Sequence, residues 1–154
     1  MTDHPPARPT PPAPPRLVLD TNACLDLFVF AAPEVAGLHA ALRQGDVVAV
    51  TNAECRAEWL RVLRYPLLKL DEAGIAAATA AHDALVECVE NQPDTGVRLP
   101  RCADPDDQKF LQLAHACGAR WLLSRDKALL ALARRTQRDS LFRILEPAHW
   151  QHDA

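Results

Sequence analysis

No apolar run in this 154-residue sequence approaches the ~20 residues that a membrane-spanning helix needs. The N-terminus also lacks the basic-then-apolar layout of a secretory signal, so a cytoplasmic protein without membrane association is expected. No C-x-x-C pair occurs. The cysteines, Cys24, Cys55, Cys88, Cys102 and Cys117, are odd in number and widely spaced, which argues against a disulfide framework or a zinc site and for reduced, mostly buried side chains. The histidines fall into no H-E-x-x-H or other ligand spacing, so they are read as ordinary residues. Excess positive charge is missing as well: the net charge is −3, and the surface as a whole does not advertise a polyanion partner. That is a statement about the average. Acids gathered round metal ions would leave the rest of the chain close to neutral, with room for a local basic rim.

What is present suits one compact domain. Nearly half of the residues are hydrophobic (49%), with alanine-rich segments that favour helix. Residues 1–15 are dense in proline and have no apolar periodicity, so they are read as a disordered tail ahead of a domain at 16–150. Short apolar runs at Leu17–Leu19, Val47–Val50, Arg120–Ser124 and Phe142–Leu145 predict strands, with a further short strand possible at Val97–Leu99. Helices are predicted over Ala23–Phe30 with Asn22 as cap, Glu34–Arg43, and from the capping box at Thr51–Glu54 to about Tyr65. Others should run from about Asp71 to about Glu90, from Asp104 to the stop at Gly118, and over Asp126–Arg135. Strands alternating with helices imply βαβ crossovers and a parallel sheet.

Two strands end in the same grammar. Asp20 follows Leu17–Leu19, and Asp126 follows Leu122–Ser124. Parallel strands bring their carboxyl ends to one edge, where α/β proteins bind ligands, so neighbouring strands would make these aspartates converge. Glu58 lies on the flank of the apolar face formed by Cys55, Trp59 and Leu63, within reach of that edge. Asp104-Pro-Asp-Asp107 opens the helix of Phe110 and Ala114. Asp106 and Asp107 fall on opposite sides of its apolar stripe, and helix geometry does not choose between them. First-turn acids are favoured by the helix dipole alone. But carboxylates brought together repel unless a cation neutralises them, and an all-oxygen set suits Mg²⁺ or Mn²⁺. A metal pair held this way activates water for in-line attack on a phosphodiester.

At these residues the chain resembles the PIN (PilT N-terminus) domain nucleases, and among them the toxin components of toxin–antitoxin systems. Arg16-Leu-Val-Leu-Asp-Thr-Asn22 is similar to the family's opening strand, and Glu58-Trp-Leu-Arg-Val-Leu-Arg-Tyr-Pro66 to its E-x-L-x-x-V-L-x-R-P segment, one residue shorter. Asp104-Pro-Asp-Asp-Gln-Lys-Phe-Leu111 resembles its D-P-x-D-x-x-F-L helix, and Leu122-Leu-Ser-Arg-Asp126 its final strand and aspartate. The resemblance implies a three-layer α/β/α sandwich on a parallel sheet, Mg²⁺- or Mn²⁺-dependent ribonuclease activity, frequent homodimers and often an antitoxin. Carried over motif by motif, the acidic site is Asp20, Glu58, Asp107 and Asp126, with Asn22 and Ser124 as polar support and Asp104 contributing to the metal. Basic residues beside these acids, namely Arg56, Arg61, Arg64, Arg125 and Lys127, are the candidates for RNA contact.

Two other readings compete. A phosphatase of the haloacid-dehalogenase type also opens on a strand ending in aspartate, but it needs a second aspartate two residues on, where this chain has Asn22. A catalytically silent PIN-like module binding RNA or protein is the alternative from another class, and it has no need to keep four acids together.

Overall fold

Leu17–Leu19, Ala49–Val50 and Trp121–Leu123 are uniformly apolar because both faces of the sheet are covered there, and the rest of the architecture follows from that. In a computed structural model, which describes residues 12–91 and 96–153, five strands form one sheet. They are β1 (Arg16–Leu19), β2 (Val48–Thr51), β3 (Val86–Cys88), β4 (Trp121–Leu123) and β5 (Arg143–Leu145), in the order β3-β2-β1-β4-β5. Every pairing is parallel. Residues 1–11, most of the expected proline tail, lie outside the described residues.

Alternate strand residues feed two cores. Leu17, Leu19, Ala49, Trp121 and Leu123 pack against α1 (Thr21–Phe28), α2 (Ala36–Gln44), α3 (Ala53–Val62) and α4 (Glu72–Leu85). Val18, Val50, Leu122 and Ile144 pack against α5 (Gln108–Ala116) and Leu129 of α6 (Lys127–Leu130), while α7 (Ala133–Arg138) lies along β5. Helices on both faces of a parallel sheet make the three-layer α/β/α sandwich. The chain winds from β1 out to β3 and then crosses back to β4 on the other side of β1. The order therefore reverses between β1 and β4, and a crevice opens at their carboxyl ends.

Local departures from the sequence reading have physical causes. The helix expected to reach about Glu90 ends at Leu85, and Val86–Cys88 becomes β3, because β2 presents an open edge that this segment satisfies in register with Ala49–Thr51. Val97–Leu99 forms no strand. The helix expected over Asp126–Arg135 is two, broken near Leu132, whose amide closes a tight turn on the Leu129 carbonyl at 3.0 Å. The cap of α1 is Asp20, not Asn22, and that of α3 is Asn52, not Thr51, which still belongs to β2.

Candidate active site

Each aspartate is placed by a strand end or a helix start. Asp20 follows β1 and turns the chain into α1, its Oδ1 accepting the Ala23 amide at 2.8 Å. Asp126 follows β4 and caps α6 in the same way, its Oδ1 accepting the Ala128 amide at 2.7 Å. Since β1 and β4 are neighbours, with Leu19 paired to Leu123, the two acids meet at the crevice. Asp104 caps the 3-10 turn Pro105–Asp107, which supplies Asp107 before α5 begins. Ser124, fully buried, ties the strand ends together: its hydroxyl donates to Asp20 Oδ2 and accepts the Asp126 amide at 2.9 Å.

Carboxylate oxygens of Asp104, Asp107 and Asp126 all lie within 4.8 Å of one another. Asp107 Oδ2 is shielded from solvent and has no hydrogen-bond partner among the described residues. Its carboxyl is pushed up to about 7, first by burial and then by the charges of Asp126, Asp104, Asp20 and Glu58. Asp20 is pushed up to about 6, again by burial first; the Ser124 and Ala23 hydrogen bonds pull the other way, and the Asp126 charge adds to the rise. A partnerless, buried carboxylate oxygen among repelling acids is the donor set a hard divalent cation satisfies.

Glu58 sits at the margin of this cluster. Its Oε1 accepts from Lys109 Nζ at 2.8 Å and its Oε2 from the Thr21 hydroxyl. Burial opposes the Lys109 charge, but the Glu58 hydrogen bond and charge outweigh it, and the ammonium is held above its ordinary value. The sequence reading passed over both Lys109 and Thr21. The cue for Lys109 was its place two residues after Asp107, in the first turn of the helix that follows the acids, and Thr21 stands directly beside Asp20. Asn22 is exposed and outside these hydrogen bonds, and Asp106 is exposed and outside the cluster.

The basic residues expected at the rim divide. Arg56 makes a two-pronged pair with Asp83 (3.1 and 2.7 Å), Arg125 another with Asp26 (2.7 and 3.1 Å), and Arg64 bonds Glu72 at 2.9 Å. Arg61 and Lys127 are exposed and make no ion pair among the described residues.

Comparison with known proteins follows the same lines. No curated protein matches the chain in sequence. In fold it is similar to the crystal structure of VapBC2 from Rickettsia felis bound to a DNA fragment from their promoter. The likeness covers 85% of this chain and 97% of that one at 14% identity, with a TM-score of 0.53. The PIN domain model matches residues 16–128, from the first residue of β1 to just past Asp126. A match over that span, which takes in all of the clustered acids, makes the chain a member of the PIN domain family.

Proposed function

We propose that this protein is a Mg²⁺- or Mn²⁺-dependent ribonuclease and the toxin of a toxin–antitoxin pair. The observation that carries the nuclease reading is the buried, partnerless Oδ2 of Asp107 in a cluster with Asp104 and Asp126, one strand away from Asp20. Asp107, Asp126 and Asp104 would hold the ion, with Asp20 behind them; an all-carboxylate set favours Mg²⁺ or Mn²⁺ over zinc. Bound there, the cation supplies an activated water and charge stabilisation for phosphodiester hydrolysis.

The chain's own residues do the positioning. Ser124 fixes the Asp20 carboxylate and the Asp126 backbone through one hydroxyl, so the two strand ends keep a single spacing. Glu58 is clamped between Lys109 and Thr21, which holds its charge beside Asp107 without placing it in the cluster. The toxin role rests on the motif resemblance to that branch of the family, with fold-level support from VapBC2. An antitoxin partner, a homodimer and a cytoplasmic place of action belong to the same reading. The rival, a silent binding module, has no use for a strained acid cluster.

Calorimetric titration with Mn²⁺ distinguishes the two. The wild type is expected to bind the ion and the Asp107→Asn variant to lose binding at least tenfold, with unchanged circular dichroism. A wild type that takes up no Mn²⁺ or Mg²⁺ would leave the silent module as the better account.

A further inference from the structure

Three of the five cations expected to meet RNA, Arg56, Arg64 and Arg125, are each committed to a carboxylate. Arg61 and Lys127 make no ion pair among the described residues, and a further unpaired set gathers elsewhere. Arg98, Arg101 and Arg135 are exposed and make no ion pair among the described residues. All three line one open cleft of about 790 Å³. Its lining includes α5 residues from Gln108 and Lys109 to Ala116, and then Cys117. The cleft therefore follows α5 away from the acid cluster for ~12 Å at 1.5 Å per residue. Lys109 belongs to both places, lining the cleft while its ammonium bonds Glu58.

From this we infer that the cleft is the track of the substrate strand: a single-stranded RNA lies along α5 with its phosphates on Arg98, Arg101 and Arg135 and passes Lys109 into the acids. The inference rests on the ribonuclease reading and adds where the strand runs. Guanidinium groups without carboxylate partners present their planar forks to phosphate oxygens, which suits Arg to this task. The two acids of the cleft, Glu54 and Glu90, come from the start of α3 and from just beyond β3, whereas Arg98 and Arg101 belong to the segment leading into Asp104. A polyanion thus has a cationic side to follow. Among the described residues no Phe, Tyr or Trp lines the cleft and only the His115 ring offers a stacking face, so contact is mainly with the backbone rather than the sequence.

The test is fluorescence anisotropy of a labelled, unstructured RNA 12-mer in chelator, where nothing is cut, at several salt concentrations. The folded double variant Arg98→Glu/Arg101→Glu and the single variant Arg135→Glu are compared with Arg43→Glu on α2, whose charge change equals that of Arg135→Glu and is half that of the double variant. The double variant should bind at least tenfold more weakly. Its log–log salt slope should be flatter by about 1.4, at ~0.7 per phosphate lost from a single strand. Arg43→Glu should bind as the wild type does. Equal affinities for the double variant and the wild type, or equal losses in all variants, would overturn the track. Cleavage by the wild type in Mn²⁺ is read in parallel. A wild type that cuts RNA while the cleft variants bind and cut unchanged refutes the track alone. One that binds through the cleft but never cuts refutes the nuclease reading alone. A cleft that ignores RNA yet binds a poly-glutamate peptide in an Arg98- and Arg101-dependent way would mark it as a protein-docking surface and overturn the track.

Discussion

Asp104, Asp106 and Asp107 differ in what surrounds them, and substitutions by asparagine should separate them. Asp107 lies deepest in acid repulsion and has the partnerless oxygen, so Asp107→Asn should abolish metal binding and RNA cleavage while raising stability slightly at pH 8. Asp106→Asn should leave both nearly whole, since Asp106 is exposed and outside the cluster. Asp104→Asn should be intermediate: asparagine keeps the cap on the Asp106 amide but removes one charge from the cluster. Metal titration of the three purified variants checks the order, and a dead Asp106→Asn beside an active Asp107→Asn would contradict it. Ser124→Ala leaves two buried polar groups with one partner fewer, and should cost ~1–3 kcal/mol in a urea melt. Much of this site was legible in the sequence because Asp20 and Asp126 advertise themselves as strand-ending carboxylates. Lys109 and Thr21 were not legible. Their roles depend on Glu58 of another helix, and such a contact leaves no periodic trace in the chain.

Helix ends decide where the elements stop. Gly118 takes φ +66° just after Cys117, the C-cap of α5, and its Cβ position is open space, so Gly118→Ala should cost ~1 kcal/mol through backbone conformation alone, and Gly118→Asn less. Thermal melts of the two variants, read against wild type, check the order. The glycine stop and the Asp104-Pro105 start were both readable, because caps are written in single residues. The end of α4 was not: nothing within Glu72–Cys88 says that β2 has an unpaired edge, and only that edge turns Val86–Cys88 into a strand. Arg125 shows the same limit. Its place beside Asp126 reads as a rim cation, yet Asp26 on α1 captures it and ties that helix to the loop after β4.

Over the whole molecule, the acid cluster makes stability depend on pH in a defined direction. Asp20 and Asp107 have folded-state values of about 6 and about 7 against an ordinary 3.8. Between those limits the folded chain holds more protons than the unfolded one, so metal-free stability falls as pH rises from about 4 to about 7. Asp83 works in another window: the Arg56 hydrogen bond holds it down to about 2, so its contribution is lost only as pH falls from about 4 towards that value. Buried His82, held below its ordinary 6.5 by desolvation, works the other way in part of this window, but the two acids outweigh it, so the metal-free protein should still melt lower at pH 8 than at pH 5. Saturating Mn²⁺ should remove most of that difference, since the ion stabilises the ionised acids. Calorimetric melts at the two pH values check it; a higher melting temperature at pH 8 without metal would contradict the electrostatics described. Among the described residues no single helix is long and apolar enough to cross a membrane, in line with the lack of long apolar runs.

The central claim is that the carboxylates at the β1–β4 crevice hold a divalent cation in order to cut RNA. The most direct measurement is cleavage of a defined RNA by wild type and Asp107→Asn, each in Mn²⁺ and in excess chelator. Cutting is expected only from the wild type with Mn²⁺. Equal cutting in chelator, or by Asp107→Asn with Mn²⁺, would contradict it.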